Sequence, residues 1–163
     1  MKKIALTLGL TLALGGLAGC GGGKSAQAPA SLSAKDGVLI TGGQLVLPAV
    51  KGHPGAAYFT VANQSGSVAT LTGVAVKGAQ RAEMHVTTDG IMEAVPRLDI
   101  GSGQNVVFGP GGNHAMVFDL SPDLKAGETT EMTLTFSDGR KLTSAVQIER
   151  PGIEVIVEDR GPG

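Results

Sequence analysis

The chain has 163 residues, with 13 Lys and Arg against 14 Asp and Glu for a formal charge of −1. No basic stripe or aromatic stacking set runs through it, so the phosphate contacts that drive nucleic-acid binding have little to work with. Its single cysteine excludes an internal disulfide.

From the N-terminus, Lys2-Lys3, the uncharged apolar stretch Ile4 to Leu17 and the small residues Ala18-Gly19 make residues 1–19 a secretory signal. The apolar run falls short of the roughly 18 residues that a membrane-spanning helix needs. Leu17-Ala18-Gly19-Cys20 resembles a bacterial lipobox, which implies that Cys20 is lipidated and becomes the mature N-terminus. Each buried CH₂ of an acyl chain adds about 0.8 kcal/mol, and several chains together hold a protein on a bilayer. The expected location is periplasmic and lipid-anchored to a bacterial membrane. Gly21 rather than Asp after the cysteine favours the outer membrane if the source is Gram-negative. Without Lys2 and Lys3 the mature chain keeps 11 basic residues against 14 acidic, a formal charge of −3.

Residues 20–35, the lipidated Cys20 followed by Gly, Ser, Ala and Pro with almost nothing to bury, read as a flexible tether. Residues 36–150 then have the size of one domain. The pattern there has period two. Residues 38–47, 56–63, 69–76, 81–87, 105–108, 114–120, 129–136 and 141–149 alternate small or polar with branched apolar side chains, each run bounded by Gly, Pro, Asn, Asp or Ser. No long window has a 3.6-residue period, and the glycine density would penalise a helix. The expected fold is all-β, an antiparallel β-sandwich of Greek-key type. Its core must be largely aliphatic, because Tyr58, Phe59, Phe108, Phe118 and Phe136 are its only bulky aromatics. Residues 151–163 include an alternating Ile-Glu-Val-Ile-Val-Glu and read as a C-terminal extension rather than an edge strand.

The chain has three His and five Met, one of them the initiator, and His85, Met92, His114 and Met116 share one short window. Residues i and i+2 of a strand point to the same side, so His114 and Met116 project together just after the Pro110-Gly111-Gly112 turn. His85 ends another predicted strand, 81–87, and a short loop after Thr88-Asp89-Gly90 would return Met92 beside it. Two imidazoles and two thioethers form a neutral, soft set that suits Cu(I) and disfavours Zn²⁺, Mg²⁺ and Ca²⁺. The plainer reading is that such Met residues pack and such His residues are satisfied polar groups. Composition and spacing leave both open. Met84 faces away from His85 and reads as core, as does Met132, which shares a face with Leu134 and Phe136. His53 reads as a solvated loop residue.

His85, Met92 and His114-Ala115-Met116 resemble the copper-binding signature of the periplasmic PCuAC-type copper chaperones. The family's twenty-one-residue spacing before His-X-Met is met by residues 93–113. Gly55-Ala56-Ala57-Tyr58 through Asn63 resembles the family's Ala-Ala-Tyr strand and Asn turn, and Glu83-Met84-His85 its Glu-X-His lead-in. Only six residues separate His85 from Met92, fewer than the family commonly has. The resemblance covers about residues 37–149. It implies a cupredoxin-like sandwich holding Cu(I) on His85, Met92, His114 and Met116. The implied partner is a copper-accepting protein such as the copper subunit of cytochrome oxidase, and a second copper chaperone is a further candidate partner. A blue-copper electron carrier needs a Cys thiolate with two His, and Cys20 is committed to the anchor. The competing class is a non-metal envelope lipoprotein with a structural or interaction role. An enzyme is not expected, since neither Gly-X-Ser-X-Gly nor His-Glu-X-X-His occurs and the acids Asp89, Asp99, Asp119, Asp123 and Asp138 fall at turns or strand ends.

Overall fold

Period-two alternation becomes strand throughout residues 33–152, the part of the chain that the computed structural model describes. Its strands are β1 (Ser33–Lys35), β2 (Val38–Val46), β3 (Gly55–Asn63), β4 (Ala69–Val76), β5 (Arg81–Thr88), β6 (Ile91–Val95), β7 (Leu98–Ile100), β8 (Asn105–Phe108), β9 (His114–Phe118), β10 (Thr129–Phe136) and β11 (Lys141–Glu149). The expected signal peptide, Cys20, most of the expected tether and the alternating segment 153–158 lie outside the described residues.

Hydrogen bonding runs in the order β6-β5-β9-β3-β2-β11-β10-β4-β7, with β1 added to β2 and β8 to β3. β4 packs against β5 without a ladder between them, so the sheet folds back on itself and is nearly closed into a barrel. All strand pairs are antiparallel except β2 with β11, which run parallel through Gln44–Val46 and Gln147–Glu149. That pair sets the first long strand of the chain beside the last described one, in the middle of the sheet, where no tight turn has to connect the two. A bulge in β2 immediately precedes it. The register of β2 on β3 shifts between Thr41 and Gln44, where Gly42 and Gly43 take φ of 69° and 137°. A Cβ on Gly43 would lie 2.9 Å from the Val146 side chain of β11, so this close approach requires glycine.

The inward face is aliphatic, as the composition requires. Ile40, Leu45, Val61, Leu71, Ile100, Met132, Leu134, Leu142, Val146 and Ile148 are buried, and Phe59 stacks on Phe108 with centroids 4.3 Å apart. Met84 and Met132 are core residues, as expected. Asn63 is buried but fully engaged. Its amide donates to the carbonyls of Ser67 and Ile100, both at 2.8 Å, while its side-chain oxygen accepts from the backbone and hydroxyl of Ser65. This network fixes the turn that leaves β3.

Three strands go beyond the sequence expectation. β1 falls within the span read as tether, and β6 and β7 lie where loop was expected. β1 and β6 each adjoin a two-residue Asp-Gly turn, Asp36-Gly37 and Asp89-Gly90, with positive φ at both residues. Asp-Gly in that conformation is a strong short hairpin signal.

Candidate metal centre

Directly opposed residues of an antiparallel pair share a face, and so do residues two apart on one strand. β5 pairs with β9 so that Glu83 faces Met116 and His85 faces His114. β5 pairs with β6 so that His85 faces Ala94 and Thr87 faces Met92. His85, Met92, His114 and Met116 therefore share one face, together with Glu83, Thr87 and Ala94. The other face of the same strands carries the buried Met84, Ala115 and Val117.

Met92 differs from expectation in one respect: it stands on a strand rather than in a returning loop. The Asp89-Gly90 hairpin needs only two turn residues, so the short interval after His85 still carries Met92 back onto the ligand face. Met92 is 54% exposed on the edge strand, while the His85 side chain is only 14% exposed.

The two imidazoles lie nearly parallel, with centroids 5.5 Å apart and planes 14° from coincidence. Their surroundings differ. His114 Nδ1 lies 2.9 Å from the Gly112 carbonyl, an acceptor, so Nδ1 carries the proton and Nε2 keeps its lone pair for a metal. The same carbonyl accepts a 3.1 Å hydrogen bond from the Thr87 hydroxyl. In His85 both ring nitrogens are buried and neither has a hydrogen-bond partner. The nearest carboxylate oxygen, Glu83 Oε2, is 3.7 Å from His85 Nε2, beyond hydrogen-bond length. Glu83 Oε1 instead pairs with Arg81, whose guanidinium sits 4.0 Å above the Phe118 ring. A buried polar atom without a partner costs about 1–3 kcal/mol, and an ion bound by its lone pair would remove that cost.

Among the described residues no group of three or more His, Cys, Asp or Glu is placed to hold a metal. A metal at this face would draw its remaining donors from thioether sulfur. His53 is exposed in the loop before β3, where its backbone N–H donates to the Val50 carbonyl at 3.2 Å. Thr87 is the site residue that the sequence reading missed. Its place two residues after His85, and so on the same face, was the available signal.

Solved structures with this fold include the copper-bound PCuAC domain from PmoF2, at 22% identity and a TM-score of 0.65, covering 74% of this chain and 98% of that one. The Cu(I) form of DR1885 from Deinococcus radiodurans aligns at 28% identity and a TM-score of 0.59, covering 77% of this chain and 81% of that one. The architecture is thus the cupredoxin-like one that the sequence resemblance implied. A chain from Leifsonia xyli subsp. xyli, named "Putative lipoprotein Lxx21020", is 30% identical over 139 residues, 82% of each chain. Residues 38–148, nearly the whole folded region, match the family described as "Putative lipoprotein LpqE-like". This chain belongs to the LpqE-like family.

Proposed function

We propose that this protein is a lipid-anchored copper chaperone of the bacterial envelope. In this reading His85, Met92, His114 and Met116 hold Cu(I) and release it to a copper-accepting protein such as the copper subunit of cytochrome oxidase. The observation that carries the reading is His85, a buried imidazole with two unpartnered nitrogens beside a second imidazole with a free Nε2, on a face shared by two thioethers. The names of the structural neighbours, copper-bound and Cu(I)-bound, support the same metal.

The donor set suits transfer. All four ligands are neutral and soft, so they stabilise Cu(I) without the permanent charge of a thiolate. Met92, on the exposed edge strand, is the ligand that an incoming acceptor can displace first. His85 and His114, deeper and stacked, hold the ion until the acceptor supplies replacements. The protein binds and hands over its cargo and catalyses no reaction.

The anchor and the domain boundaries belong to the same proposal. Residues 1–19 act as the signal, Cys20 is acylated, and a tether joins it to the folded domain. Cys20→Ser should release the protein into soluble fractions with its copper affinity unchanged. Competition of the full chain, purified in detergent, against a Cu(I) chelator tests the function itself. One tightly bound Cu(I) per chain is expected; no binding leaves a non-metal lipoprotein.

A further inference from the structure

We infer that Thr87 is a positioning residue that sets the tautomer and aim of His114 through the Gly112 carbonyl. The inference rests on the copper reading of this face. The β5–β9 ladder ends at the pair His85–His114. Continued by two residues, the same register would set Thr87 opposite Gly112, where β9 has given way to the turn. The Thr87 hydroxyl takes over there from backbone pairing and donates to the Gly112 carbonyl at 3.1 Å.

That carbonyl has two lone pairs and therefore room for two donors. Thr87 Oγ1 takes one, and His114 Nδ1, at 2.9 Å, takes the other. The turn is closed by its own backbone, with Gly109 N–H on the Asn113 carbonyl at 2.6 Å and Gly112 N–H on the Gly109 carbonyl at 3.1 Å. Those bonds use neither lone pair of the Gly112 carbonyl. Gly112 itself has no Cβ, so the peptide that carries this carbonyl is freer to rotate than a branched residue would leave it. Thr87 is thus the side chain from the neighbouring strand that holds this carbonyl toward His114. Holding it there keeps the proton on Nδ1 and the lone pair on Nε2, as outer hydrogen bonds do for metal-binding histidines generally. His85 has no comparable partner, so the two ligands differ in kind, His114 preset and His85 free to adjust.

The test uses the full chain in detergent, labelled with ¹⁵N at its three histidines. In the metal-free protein the His114 nitrogen shifts should report the Nδ1–H tautomer. Thr87→Val, which keeps the shape and removes the hydroxyl, should move those shifts toward a tautomer mixture and weaken Cu(I) binding about tenfold, the lower end for outer partners of a metal ligand. Thr87→Ser should restore both to within about twofold. Thr87 also stands opposite Met92, so weaker binding alone does not establish the role. An unchanged His114 tautomer in Thr87→Val overturns the inference, whatever the affinity does. Failure of the unsubstituted chain to bind Cu(I) overturns instead the copper reading, and with it the role of His114 as a ligand.

Discussion

The two faces of the β5–β9 ribbon use the same side chains for opposite ends. Met84 and Met116 lie one register step apart, yet Met84 is buried in the core while Met116 lies outward beside the two histidines. Met132 and Met92 repeat the contrast at greater extremes, Met132 fully buried and Met92 more than half exposed. The thioether is common to all four, and strand parity decides the role. An inward methionine supplies volume and flexible packing; an outward one beside an imidazole would, in the proposed reading, supply a soft lone pair. The outward face also keeps His85 with two unsatisfied nitrogens, a cost that the inward face avoids with apolar groups and the fully bonded Asn63.

Substitution should separate the faces cleanly. Met132→Ala opens a cavity in the core and should cost about 2–5 kcal/mol of stability, read as a lower denaturation midpoint, while the folded protein keeps its Cu(I) affinity. His114→Ala should leave the midpoint nearly unchanged and weaken Cu(I) binding about a hundredfold, some 2.7 kcal/mol, against about tenfold or 1.4 kcal/mol for Met92→Ala. The order follows from anchoring: His114 is aimed by Gly112, whereas Met92 stands exposed on an edge strand. If chelator competition shows Met92→Ala to be the more damaging, the β6 hairpin is the rigid part of the site.

His85 allows a test in which the faces trade places. Leu at that position removes two unpartnered buried nitrogens, so His85→Leu should raise the stability of the metal-free protein by about 1 kcal/mol and abolish tight Cu(I) binding. Calorimetry of metal-free and copper-loaded samples would show both effects. A less stable metal-free variant would mean that His85 is held by contacts rather than waiting for an ion.

How much of this could be read in the sequence follows from what parity can and cannot say. Alternation alone placed eight strands to within a residue or two, and it set Met84 against His85 and His114 with Met116. It could not say that β5 and β9 are neighbours, since their pairing is non-local and no local pattern encodes it. The adjacency of His85 and His114 came only through resemblance to a known signature. β6 escaped because Ile91-Met92-Glu93-Ala94-Val95 is apolar at all but Glu93 and so shows no period-two alternation, and Ile91 to Ala94 are exposed with no core face to impose one. The Asp89-Gly90 turn was its one local signal, and reading it as a hairpin would have placed Met92 on a strand. Thr87 escaped because a threonine in a strand is ordinary; the Gly112 carbonyl opposite it is visible only in the fold.

The smallest expected effect lies outside the four candidate ligands, at the hairpin joining β10 and β11. There the Arg140 backbone N–H, hydrogen-bonded to Asp138, holds the carboxyl below its ordinary pKa, with the Arg140 side chain adding to the effect. A depressed folded-state pKa stabilises above the unfolded value and is lost as pH falls through the folded one. Thermal melts of Asp138→Asn should therefore lie slightly below those of the unsubstituted chain at neutral pH and converge with them under acid, below about pH 4. Copper affinity should not move. A change there would couple this hairpin to the candidate site.

In the proposed reading one outward face supplies two imidazoles and two thioethers to a single Cu(I). X-ray absorption at the copper edge of the loaded full chain tests it most directly. The expected shell is mixed nitrogen and sulfur, losing part of its sulfur in Met116→Ala and keeping it in Met84→Leu. A shell without sulfur, or one indifferent to Met116, would contradict it.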